Sequence, residues 1–236
     1  MQKFHFIIFL FVSLILVKGQ QKDSVYIQNE PYRFQAKQLI IPATLMAAGT
    51  GILLTEKRDV PVDTNKDFLA FGGYFEDYAQ FAPHAAAYAF ELGGMKPRTD
   101  FWNRSAILAK GEIITFVTVT GLKYIFKQPR PDGSNEFGFP SGHTANAFAG
   151  ATFLTIEYGD RYKWVPYAAY GMAAGVGALR FSHNKHYWSD VVFGAGLGIL
   201  TMKAAYWTHQ YKWGKKNADF NAFNAIYNQH TLSSIK

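Results

Sequence analysis

The chain has 236 residues, 49% hydrophobic and 17% aromatic, and only 17% carry charge, against roughly 25% in an average soluble domain. The length favours one domain with a sizeable core, and the low charge content leans towards a membrane protein. The net charge of +7 includes no basic run of the kind that grips nucleic acid, and the lack of cysteine removes disulfides, thiolate nucleophiles and cysteine-ligated metals.

Residues 1–19 read as a secretory signal. Lys3 supplies the positive start, residues 6–17 an apolar run shorter than a bilayer span, and Val17-Lys18-Gly19 the place for cleavage. A polar lead-in follows over 20–37. Residues 38–55 carry no charge and are expected to form a membrane helix, whereas 56–80 are charged and loop-like, with Pro61 and Gly72-Gly73 as breakers. Residues 81–95 are apolar but include His84 and Glu91. After a basic connection over 96–104, residues 105–126 read as a helix with Lys123 near its end. The loop over 127–142 is rich in proline and glycine, and Ser141 is the candidate N-cap of a helix over 142–158. A polar turn over 159–163 leads to helices over 164–179 and 189–208. Gly171, Gly175, Gly177, Gly194, Gly196 and Gly198 suit close helix approach in a bilayer and would weaken the same helices in water. The tail over 210–236 is polar. These elements predict an all-α fold, a helical bundle with a multi-span membrane core over 38–209.

Orientation follows from where the basic residues fall. Lys96, Arg98 and Arg104, then Arg161 and Lys163, then Lys212, Lys215 and Lys216 all lie at the helix ends opposite the polar motifs described next. Basic ends in the cytoplasm put those motifs on the periplasmic face of the inner membrane. With a secretory start, 38–55 and 81–95 cannot both cross without inverting that face. The shorter, Glu-bearing 81–95 is therefore expected to be partial or interfacial.

Three polar clusters stand out between residues 123 and 190. The first is Lys123 and, after six intervening residues, Arg130-Pro131; the second is Pro140-Ser141-Gly142-His143; the third is Arg180, His186 and Asp190. They meet if the two helices between the second and third fold as an antiparallel hairpin. Lys123, Arg130 and Arg180 would repel one another if buried together, so an anion belongs among them. Arginine forks match phosphate oxygens, and Ser141 with the amides of Gly142 and His143 offers a helix N-terminus to the same anion. His186 and Asp190, spaced i, i+4, share a helix face. The carboxylate can hold one imidazole nitrogen and leave the other free to attack phosphorus. His143, from a separate cluster, is free to protonate the leaving oxygen and then to activate water. His183, His186 and Asp190 also have metal-ligand spacing. Arg180 and Lys185 in the same run oppose a metal, and His183 is expected off the catalytic face.

Together these residues resemble the three-part signature of the type 2 phosphatidic acid phosphatase superfamily, which includes class A acid phosphatases, glucose-6-phosphatase and vanadium haloperoxidases. The first part matches at Lys123, Arg130 and Pro131, the second at residues 140–143, and the third at Arg180, His186 and Asp190. Leu179 stands where the family usually has serine, a departure that bears on fine tuning rather than on the reaction. The resemblance implies an all-α core and metal-independent, cofactor-free hydrolysis through a phosphohistidine on His186. Lys123, Arg130, Ser141, Gly142 and Arg180 would bind phosphate, and His143 would be the acid. The stretches 77–83 and 184–190 are similar to bacterial envelope members that act on lipid A, which implies a phosphorylated lipid substrate, specifically the 4′ phosphate of lipid A. Undecaprenyl pyrophosphate and phosphatidylglycerol phosphate present the same phosphoryl head and compete with it. Two other readings of the pocket are a soluble periplasmic acid phosphatase and a vanadate-dependent haloperoxidase. Nothing in the sequence bears on the oligomeric state.

Overall fold

A computed structural model describes residues 31–58 and 75–211. Within them seven α-helices form: α1 (Ile40–Thr55), α2 (Phe75–Ala79), α3 (Ala82–Leu92), α4 (Phe101–Phe126), α5 (Gly142–Tyr158), α6 (Val165–Ser182) and α7 (Trp188–Trp207). A 3-10 turn over Ala36–Leu39 leads into α1, and the described residues contain no strand, in keeping with the all-α class. The expected signal segment, the lead-in as far as residue 30, the breakers Pro61 and Gly72-Gly73, and the tail from 212 lie outside the described residues.

The bundle is built on α5 and α7, which run in parallel and touch along their length. α7 also packs on α1 and α4, and α5 on α3, α4 and α6. Their closest approach is set by glycine. A Cβ on Gly198 would fall 2.0 Å from the Ala145 carbonyl oxygen, and one on Gly194 would fall 2.7 Å from that of Ser141. Gly196 faces the other way and admits the Pro42 carbonyl of α1. Gly177 is close-packed too, against Val191, but Gly171 and Gly175 face open space with nothing within 4 Å. The expectation that all six glycines serve helix approach therefore fails at those two, which lie on the outward face of α6.

Local signals fix the ends. Asp100 caps α4 by accepting from the amides of Trp102 and Asn103, which starts that helix earlier than residue 105. The same helix stops at Lys127, in the left-handed conformation (φ 43°) that ends many helices. Ser141 caps α5, accepting from the Thr144 amide. The charged stretch expected as a loop over 56–80 contains α2, whose Glu76 is buried.

Beneath the polar end of the bundle lies a small apolar cluster of Val119, Phe139, Ala145, Phe193 and Leu197. A larger one, including Ile107, Phe153, Leu154, Met202 and Tyr206, fills the rest. Ala36–Thr55 and Phe101–Phe126 are long and apolar enough to cross a membrane. Their outer faces carry exposed Ile40, Ile41, Leu54, Ile113, Phe116, Val117 and Ile125, an amount of apolar surface rarely left to water. The 11 residues of α3 rise only about 16 Å, half of what the hydrocarbon core needs.

Candidate active site

Five helix ends converge at one pole: the C-termini of α1, α4 and α6 and the N-termini of α5 and α7. The Ser141 amide donates to the Asp190 carbonyl at 3.0 Å, which sets the starts of α5 and α7 side by side. After α6, Asn184 adopts a left-handed conformation (φ 52°), and the amides of Lys185 and His186 both return to the Arg180 carbonyl. This tight turn carries His186 back under α6 instead of away from it. Asp190, in the first turn of α7, accepts from the Tyr187 amide at 2.9 Å and so anchors the same turn.

His186 and Asp190 are almost wholly buried, and the imidazole Nδ1 lies 3.4 Å from the Asp190 Oδ2, a long hydrogen bond. Burial lowers the His186 pKa to about 4. The positive charges of Lys123 and Arg130 push in the same direction, and Asp190 opposes them without overcoming them. The ring is therefore neutral at ordinary pH, with Nδ1 committed to Asp190 and Nε2 free.

Lys123 donates to the Phe137 carbonyl at 2.6 Å, which ties the loop after α4 back onto that helix. Arg130, in the same loop, lies within Coulombic range of Lys123, Arg180 and His186. Neither Lys123 nor Arg130 makes an ion pair with a carboxylate among the described residues, and Arg130 keeps a buried, unpartnered Nε. The loop is pinned at its far side by Lys185, whose Nζ is 2.9 Å from Asp132 Oδ2. Burial works to raise the Asp132 pKa, but the hydrogen bonds from Lys185 and Ser134 outweigh it and hold the carboxyl at about 2. Ser141 is buried with its hydroxyl 2.9 Å from that of Thr144, and Gly142 opens α5 beside it.

The remaining expected residues meet partners that local sequence did not announce. His143 Nε2 is 2.7 Å from Asp77 Oδ1, and Arg180 reaches Glu76 Oε1 at 3.1 Å and Asp77 at 3.9 Å. The His183 Nδ1 sits 2.9 Å from the same Glu76 oxygen. Desolvation would raise the Glu76 pKa, yet His183 and Arg180 together hold it below the usual carboxylate value. His183 is thus turned to Glu76 while His186 faces Asp190. Among the described residues, no group of three histidine, aspartate or glutamate side chains gathers as a metal site would require. From beyond α1, Arg58 Nη2 reaches Asp190 Oδ1 at 2.6 Å and Glu56 Oε2 at 3.1 Å. Arg58, Glu76 and Asp77 are the residues that reading the sequence missed. Each is defined by a partner far along the chain, so no local signal marks it.

A cavity of about 570 Å³ opens from this pole along α4, lined by Gly142, His143 and Lys123 at one end and by Val119, Phe116, Ile113 and Glu112 further along. From Lys123 to Glu112 the helix rises about 16 Å. The arrangement combines a neutral, buried nucleophile candidate, a second histidine on a different helix, three cations without a shared carboxylate, and an apolar channel leading away.

Residues 105–214 match the model of the PAP2 superfamily, which bears out the resemblance drawn from the three clusters. A similar protein is the lipid A 1-phosphatase of Porphyromonas gingivalis, 37% identical over 153 residues. That alignment covers 62% of this chain and 34% of the relative, so the chain spans about a third of the relative's length. Among solved structures, the chain is similar to a transmembrane PAP2-type phosphatidylglycerolphosphate phosphatase from Bacillus subtilis. The identity there is 21%, covering 70% of this chain and 94% of that one, with a TM-score of 0.44.

Proposed function

We propose that this chain, with its PAP2-superfamily segment over 105–214, is a metal-independent phosphatase of a membrane lipid, working at the periplasmic face of the inner membrane. The observation that carries the reading is the buried His186–Asp190 pair set among Lys123, Arg130 and Arg180, at the pole where Lys123, Gly142 and His143 line one end of an apolar cavity. In this reading the cations and the N-terminus of α5, with Ser141 and Gly142, hold the phosphoryl oxygens. The Nε2 lone pair of His186 forms a bond to phosphorus as the bond to the lipid oxygen breaks, and His143 gives its proton to that oxygen. Asp190 holds Nδ1–H and stabilises the positive charge that develops on the ring. Water, deprotonated by His143, then bonds to phosphorus as the Nε2–P bond breaks, which releases inorganic phosphate and returns His186 to its neutral form. No cofactor is required.

The cavity favours a lipid over a soluble ester, because a chain leaving the phosphoryl pole along α4 meets Val119, Phe116 and Ile113 rather than water. Lipid A is the substrate best supported. The 4′ phosphate is the position that the sequence pattern suggests, whereas the relative's name carries the 1 position. The test is phosphate release, with positional analysis of the product, from lipid A, undecaprenyl pyrophosphate, phosphatidylglycerol phosphate and a soluble aryl phosphate, each with and without EDTA. Release from lipid A that survives EDTA and vanishes in His186→Ala supports the proposal. Release from the aryl phosphate alone, or activity restored only by a divalent ion, overturns it.

A further inference from the structure

Arg58 lies outside the segment that matches the family, 132 residues before Asp190, yet its Nη2 donates to Asp190 Oδ1 at 2.6 Å and to Ser189 Oγ at 2.5 Å. The side chain is only 6% exposed and Asp190 not at all. Its guanidinium lies over the Tyr187 ring, 4.5 Å from the centroid, and Glu56 Oε2 accepts from both Arg58 and Ser189. Glu56 and Tyr187 thus fix the guanidinium, and its Nη2 alone fixes one oxygen of Asp190, Nε and Nη1 being buried without partners. The other oxygen is left to the Tyr187 amide and His186 Nδ1.

We infer that Arg58 is a positioning residue for the reaction: it braces Asp190 from the side away from His186 and keeps the carboxylate from taking up the imidazole proton. This rests on the reading that His186 is the nucleophile. The physical reason is division of charge. A carboxylate already neutralised by a buried guanidinium draws less on a second donor, in keeping with the 3.4 Å bond to His186 against 2.6 Å to Arg58. His186 then keeps its own proton on Nδ1, stays weakly basic, and becomes positively charged only when Nε2 bonds to phosphorus. The charged groups that bear on His186 are Asp190 from α7, Lys123 from the end of α4 and Arg130 from the following loop. Arg180, which offers His186 its backbone carbonyl, turns its guanidinium to Glu76.

The test uses the full chain in lipid micelles, with lipid A as substrate and orthovanadate as a probe of the anion pocket. Arg58→Gln should lower kcat about tenfold while KM and vanadate inhibition stay within about threefold. The acid limb of kcat/KM should move up by about one pH unit, because Asp190, freed of Arg58, stabilises the His186 imidazolium. In an Asp190→Asn background the same substitution should cost less than about threefold, since Arg58 acts through that carboxylate. Arg58→Lys, which keeps the charge, should hold the limb near its native position and serves if Arg58→Gln does not fold. An unmoved limb in Arg58→Gln, or an equal cost with and without Asp190, makes Arg58 a brace of the fold only and overturns the inference. Turnover persisting in His186→Ala would instead strike at the nucleophile assignment, a separate failure.

Discussion

The two poles of the bundle both bury charge, but they use it differently. At the pole away from the site, Glu157 accepts from the Thr99 amide at 2.9 Å, the Thr99 hydroxyl at 2.8 Å and the Tyr206 hydroxyl at 2.6 Å. Arg104, fully buried, pairs with Glu91 and lies over the Tyr88 ring. The result is a clasp joining the start of α4 to the ends of α5 and α7, in which the carboxylate is met by donors on its own neighbours. At the opposite pole Lys123 and Arg130 have no carboxylate partner among the described residues, although both lie within Coulombic range of Arg180. A cluster in which cation and carboxylate meet directly reads as architecture, and one that leaves cations to share a common space reads as a place for an anion.

The contrast can be broken at its strongest point first. His186→Ala should cut phosphate release by about ten-thousandfold or more, and His143→Ala by a hundred- to ten-thousandfold, with melting temperatures close to native. Residual turnover above about a hundredth of native in His186→Ala would remove the division between a working pole and a structural one. The mirror experiment is Glu157→Ala, which strands the buried donors of Thr99 and Tyr206. It should lower stability by about 3 kcal/mol yet leave turnover per folded molecule within about twofold. Loss of turnover at unchanged stability would mean that the clasp takes part in the reaction.

Two smaller effects sharpen the picture within the site. Asp77→Asn removes the charge held against His143 and should lower kcat about tenfold, with little change in vanadate affinity; a native kcat would make the contact incidental. On the acid side, kcat/KM should stay level down to about pH 5 and fall through about pH 4. The neutral form of His186 is the reactive one, and its pKa is lowered to about 4. An acid limb near pH 6.5, the ordinary histidine value, would show an imidazole in contact with water.

Much of this was legible in the sequence because it is written locally. The helix over 142–158 was found from its Ser141 cap and came out as α5 with the same ends, and residues 38–55, 164–179 and 189–208 fall within three residues of α1, α6 and α7. Apolar runs and caps act over a few residues, so a linear reading detects them. The cations and histidines were found because three short motifs carry them in order. Arg58, Glu76 and Asp77 were not, since each is defined by a partner 66 or more residues away, and nothing in the charged stretch over 56–80 tells a loop from a lining. The outward Gly171 and Gly175 show the converse limit: small residues at helical spacing do not say which face a neighbour covers.

The bond between Arg58 and Asp190 joins the first described helix to the last. On a ribosome adding roughly 5–20 residues per second, the guanidinium emerges about 7 to 26 seconds before the carboxylate it will hold. A half-made chain thus possesses the early brace without the dyad it supports. In the proposed reading, competence to hydrolyse a lipid phosphate arrives only once α7 has docked, so synthesis itself withholds the reaction from the surrounding bilayer until assembly is done.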